Sequence, residues 1–124
     1  MTESQGGKRY DLEDRTFLFA KDIRTFIRAL PKTLANTEDS KQLVRASGSV
    51  GANYIEANDG LSKKDFLMRI KICRKEAKEC RYWLGLIDAQ GSSDIEKDRG
   101  KFVQEATELM NIFGAILRKV EGKG

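Results

Sequence analysis

The sequence predicts an all-α fold, an antiparallel up-and-down four-helix bundle, and three observations carry that expectation. Apolar residues recur at three-to-four spacing through four successive blocks, the period of one helical face. The blocks are separated by short stretches with stop and start chemistry: a lone proline, Asn58-Asp59-Gly60, Gln90-Gly91 and serine caps. No segment shows a convincing period-two alternation of strand type. Four helices joined by short connectors pack antiparallel to their neighbours.

The elements follow in order. Residues 1–9 are polar and glycine-containing and are expected to form a disordered tail, leaving 10–121 as the single domain this length predicts. From Asp11 the positions Phe17, Ala20, Ile23, Ile27 and Leu30 form an amphipathic stripe that Phe19 and Phe26 widen. Pro31 disfavours helical geometry at Leu30 and ends this helix. Asn36 or Thr37 caps the second, with Glu38 and Asp39 at its positive end. Leu43, Ala46, Ser47, Val50, Tyr54 and Ala57 line it as far as Asn58-Asp59-Gly60.

Ser62-Lys63-Lys64-Asp65 matches a capping box and opens the third helix. There Phe66, Ile70, Cys73, Ala77, Cys80, Leu84 and Ile87 alternate fours and threes until Gln90-Gly91. Ser93-Asp94-Ile95-Glu96 is a second box. The last helix carries Phe102, Ala106, Leu109, Phe113, Ile116 and Val120, flanked by Val103, Met110 and Leu117, with Gly100 as a place for a kink.

Composition narrows the chemistry. Histidine is absent, which removes the commonest general base and metal ligand. Cys73 and Cys80 share a helix face about 10 Å apart by helical rise, too far for a disulfide or joint ligation of one metal. They read as small buried thiols in a reducing compartment. No apolar run approaches the ~18 residues of a membrane span, and no signal-peptide core opens the chain. A cytoplasmic location is expected.

The segment 42–58 is a helix whose middle is stripped to Ala, Ser and Gly. Interior glycines cost roughly 1 kcal/mol each relative to Ala, so Gly48 and Gly51 point to close approach of another element. Ser47-Gly48-Ser49-Val50-Gly51 is no phosphate loop, because Ala52-Asn53 follow where Lys-Ser/Thr is required and no strand precedes. Beside the small residues Arg45, Ser49, Asn53 and Glu56 make a polar ladder. It suits an inter-helix or inter-subunit hydrogen-bond network that sets register. Glu76 and Glu79 share a face, but without Glu-x-x-His sets they make no di-iron site and are expected to pair with neighbouring Lys and Arg.

Charge is the strongest functional signal. Residues 62–87 hold eight basic side chains against three acids, a net +5 in a chain whose total is +4, which leaves −1 for everything else. The candidate contacts are Lys63, Lys64, Lys71, Arg74, Lys75, Lys78 and Arg81, with Lys64, Lys71, Arg74, Lys78 and Arg81 close to one face opposite the apolar stripe. Such a stripe fits phosphate contacts of RNA or DNA. It also fits a solvated face with pairs such as Lys75–Glu79, or an acidic protein partner. Tyr82 and Trp83 adjoin it, either as stacking platforms for bases or as helix-end packing.

The block 41–56, then Ser62-Lys63-Lys64-Asp65-Phe66 and Ile72-Cys73-Arg74-Lys75-Glu76-Ala77-Lys78-Glu79, resembles the family of four helix bundle proteins, also called 23S rRNA intervening-sequence proteins. Tyr10-Asp11-Leu12-Glu13 and Asn111-Ile112-Phe113-Gly114-Ala115-Ile116-Leu117 extend the resemblance to about residues 10–120. The resemblance implies an antiparallel four-helix fold assembled as a ring-shaped homopentamer. It also implies a distant similarity to the accessory variability proteins of diversity-generating retroelements, which bind a reverse transcriptase and nucleic acid. The expected function is that of a non-enzymatic, cofactor-free homo-oligomer that binds nucleic acid, RNA first, and supports a partner such as a reverse transcriptase. A protein-interaction scaffold without nucleic acid is the alternative.

Overall fold

The computed structural model describes residues 11–122, and the expected tail, 1–9, lies outside them. Four helices follow in order, α1 Leu12–Arg28, α2 Leu34–Asn58, α3 Lys63–Leu86 and α4 Ser93–Glu121, with no strand among the described residues. Consecutive helices pack side by side and α4 returns to α1, which closes the up-and-down bundle. The α1–α4 seam is the lightest of the four, held by Phe102 against Phe19 and Phe26. Two-pronged hydrogen bonds from Arg15 to Glu105, and a further one to Glu108, close it on the outside. Those bonds, led by that to Glu105, raise the Arg15 pKa.

The core is the apolar face of each helix. On α3, Ile70, Cys73, Ala77, Cys80 and Leu84 are buried as the periodicity predicts, and Ile87 follows them just past the helix. On α4, Ala106, Leu109, Phe113 and Leu117 are buried, and the helix runs through Gly100 without a break. On α1 the stripe is displaced from its expected phase. Thr16, Phe19, Ile23 and Phe26 point inward, with Leu30 buried just past the helix, whereas Phe17 is 64% exposed. A helix of 3.6 residues per turn cannot turn both Phe17 and Phe19 inward, and packing selects Phe19.

Three boundaries differ from the expected ones. Thr33 caps α2, accepting from the Asn36 N–H. Asn36 is therefore not the cap; its buried amide joins both connectors at one end of the bundle. It donates to the Pro31 and Asp88 carbonyls at 3.1 and 3.0 Å and accepts from the Asp88 N–H at 2.9 Å. That clamp, with Arg99 donating to the carbonyls of Leu84 and Ile87, stops α3 at Leu86 rather than at Gln90. Gln90 and Gly91 instead form the left-handed turn of the α3–α4 connector, with φ of 51° and 82°. Ser92 rather than Ser93 caps α4. Ser62 caps α3 as expected.

The small-residue stretch of α2 does allow a close approach. A Cβ on Gly51 would stand 2.8 Å from Thr16 Oγ1, inside contact distance, and a Cβ on Gly48 would meet Arg24 at 3.5 Å. Thr16 is buried, its hydroxyl donating back to the Leu12 and Glu13 carbonyls, so at this crossing α1 lies directly on the α2 backbone.

Candidate nucleic-acid interface

Helix α3 lies between α2 and α4 and presents different chemistry to each. Glu76 sits within the apolar stripe, one residue before Ala77, and is only 5% exposed. A buried carboxylate needs compensating charge and hydrogen bonds, and Arg45 of α2 supplies them. Arg45 donates to both Glu76 oxygens, at 3.2 and 3.4 Å, and to Glu79 at 2.9 Å. Lys75 completes the cluster, 3.6 Å from Glu76 and 3.4 Å from Glu79. Hydrogen bonding to Glu76, then the attraction of both acids, raises the Arg45 pKa.

About two turns along the same seam, Asn53 donates to the carbonyl and hydroxyl of Ser49 and accepts from Arg69 of α3 at 3.0 Å. The ladder read from sequence is thus two separate ties, Arg45 to Glu76 and Glu79, and Ser49–Asn53 to Arg69. Glu56 is exposed and joins neither. Glu76 and Glu79 pair with basic side chains as expected, but their tie to Arg45 and the role of Arg69 were not assigned from sequence. The signal for Glu76 was its place inside the apolar repeat.

The α4-facing flank is basic. Lys71 reaches Glu121 at 3.4 Å, and Arg81 lies against Met110 with Nη1 3.2 Å from Sδ. Between them Arg74 and Arg118 of α4 reach the same point over Gly114, where an added Cβ would stand 3.8 and 3.4 Å from their nitrogens. Lys78 is exposed on the same helical row, one turn from Arg74. Arg74, Lys78, Arg81 and Arg118 form no ion pair among the described residues, and Lys63 and Lys64 at the start of α3 form none either.

The seven basic candidates therefore divide. Lys71, Arg74, Lys78 and Arg81 form one row. Lys63 and Lys64 stand at its far end, and Lys75 turns to the acids facing α2. The row does not lie squarely opposite the apolar stripe, because Arg74 and Arg81 lean onto α4. Arg118, on another helix, is the member the sequence did not reveal. Tyr82 is 63% exposed with its ring edge-on to Trp83 at 5.0 Å, while Trp83 packs against the core.

The two thiols are buried, and Cys73 donates to the Val50 carbonyl at 3.4 Å. Burial pushes both up to about 12, so they stay protonated and make poor nucleophiles near neutrality. Among the described residues no three acids or thiols come together as a metal-binding group. No helix among them is long and apolar enough to cross a membrane. On the outer face of α1 and α2, Phe17 and Ile55 (45% exposed) border a groove floored by Ala20, Gly48, Gly51 and Ala52.

Comparison with known proteins bears on this arrangement. The family described as 23S rRNA-intervening sequence protein matches residues 8–115. A protein of unknown function from the S23 ribosomal protein family of Bacteroides thetaiotaomicron is similar in structure, with a TM-score of 0.71 and 27% identity. The likeness covers 87% of this chain and 99% of that one. No curated protein matches the chain.

Proposed function

This chain belongs to the 23S rRNA-intervening sequence protein family, and from that premise we propose that it is a non-enzymatic nucleic-acid-binding protein that engages RNA along the α3–α4 seam. The observation that carries the reading is the row Arg74, Lys78, Arg81 and Arg118, cationic side chains with no ion pair among the described residues, while Arg15, Arg45 and Arg99 each meet a carboxylate. Cations left unneutralised within a bundle raise the local potential and attract phosphates. Tyr82 supplies an exposed ring beside the row, suited to stacking on an unpaired base.

The working form is a cytoplasmic homo-oligomer, a pentameric ring as the family resemblance implies, that needs no cofactor and acts as an accessory to a nucleic-acid enzyme such as a reverse transcriptase. The Phe17–Ile55 groove supports self-association, since exposed apolar patches of this kind mark contacts. The same basic row would also suit an acidic protein, and nuclease treatment separates the two: a partner captured equally well after nuclease favours the scaffold.

The test is a titration of a mixed RNA pool over a range of salt. Phosphate contacts release counterions, so log K falls against log[salt] with a slope of about −0.7 per contact on a single strand. Affinity that stays flat between low and moderate salt contradicts the proposal.

A further inference from the structure

We propose that Arg74 and Arg118 hold a single phosphodiester group of a nucleic-acid strand between them, above the bare backbone of α4 at Gly114. The inference rests on reading the α3–α4 seam as the nucleic-acid interface and adds where on it a phosphate is gripped. Two guanidiniums from different helices reach one point, and among the described residues neither forms an ion pair. Like charges brought together this way repel, and an anion seated between them reverses the sign of both interactions.

A guanidinium presents a planar fork of donors that fits two phosphate oxygens at once, so a pair can share one phosphate group. Gly114 gives the fork its room. It is buried beneath the two arginines, and a methyl there would already touch both; a longer side chain would occupy the position assigned to the phosphate. Glycine inside a long helix costs about 1 kcal/mol against Ala, which a need for open surface explains. From this grip Lys78 and Arg81 continue the row for about 10 Å along α3 by helical rise, so the next phosphates of the strand meet further cations.

The test is fluorescence anisotropy with a labelled oligouridine RNA and the full chain. Arg74→Gln and Arg118→Gln are each expected to weaken binding roughly tenfold, and the double variant no more than about thirtyfold, because the second arginine loses most of its hold once the first is gone. Arg28→Gln, an equal loss of charge at an exposed site on α1, is expected to stay within about twofold. Arg118→Gln binding like the unaltered protein, or losses that multiply fully in the double variant, overturns the shared grip and leaves the seam as interface. An unaltered protein that binds no oligouridine overturns both.

Discussion

The two flanks of α3 show how one helix divides structural from available charge. Toward α2 it presents Glu76, Glu79 and Arg69, each met by a partner on the neighbouring helix. Toward α4 it presents Lys71, Arg74, Lys78 and Arg81, of which only Lys71 finds an acid among the described residues. In the first seam both acids are met by Arg45 and Lys75 and Arg69 is held by the Asn53 amide, so these charges contribute to stability and register. The second keeps a net positive field, which costs some self-repulsion and favours association with an anion. Charges of the first kind should alter folding when removed, and charges of the second kind should alter binding.

Reversing the second seam breaks the comparison most sharply. The combination Lys71→Glu, Arg74→Glu and Lys78→Glu is expected to lower RNA affinity by a factor on the order of 100 or more. The midpoint of urea unfolding should not fall, because relieved repulsion around Arg74 and Lys78 offsets loss of the exposed, water-screened Lys71–Glu121 pair; anisotropy and a urea melt on one preparation read both.

Among the internally satisfied polar groups the largest effect is expected at the end of the bundle from Asn36→Ala, which removes both hydrogen bonds donated to Pro31 and Asp88 and the one accepted from the Asp88 N–H. With an unsatisfied buried group costing about 1–3 kcal/mol, the loss should be about 3 kcal/mol, with RNA affinity unchanged. Arg45→Ala is smaller. It leaves Glu76 buried beside Lys75 alone, but Arg45 is half exposed, so water screens the pair and about 1–2 kcal/mol is expected in chemical denaturation.

The smallest effect appears only at high pH. Burial raises the Cys73 and Cys80 thiols from 9.0 to about 12, so between these values the unfolded chain releases protons that the native state retains. Stability from this source is complete below pH 9 and declines as pH rises toward 12. Denaturation midpoints across that range should fall less steeply in Cys73→Ala/Cys80→Ala, whatever the variant's stability at pH 7.

What the sequence revealed and what it hid divide along the same line. The α3 repeat Ile70, Cys73, Ala77, Cys80, Leu84 was legible because burial of a helix face depends on local periodicity alone. The Ser62 cap was legible for a similar reason, its bond to the Asp65 N–H spanning three residues. Asn36 was misread because Asn near a helix start is ordinarily a cap, and its true partner, Asp88, is 52 residues distant. The phase of α1 was ambiguous with Phe17 and Phe19 two apart, and only packing against Phe102 resolves it. Of the candidate site, the basic row on α3 was visible in one segment. Arg118 and the opening at Gly114 come from a different helix, and no spacing rule connects them to Arg74.

The measurement that tests the division most directly is a set of thermal melts with and without saturating oligouridine. A ligand that binds only the native state raises the melting temperature through its binding free energy. Arg45→Ala is expected to melt lower than the unaltered protein yet gain the same increment from RNA. The Lys71, Arg74 and Lys78 reversal is expected to melt no lower and to gain none. A reversal variant that still gains the full increment, or an Arg45→Ala variant that melts normally but gains none, would contradict this division.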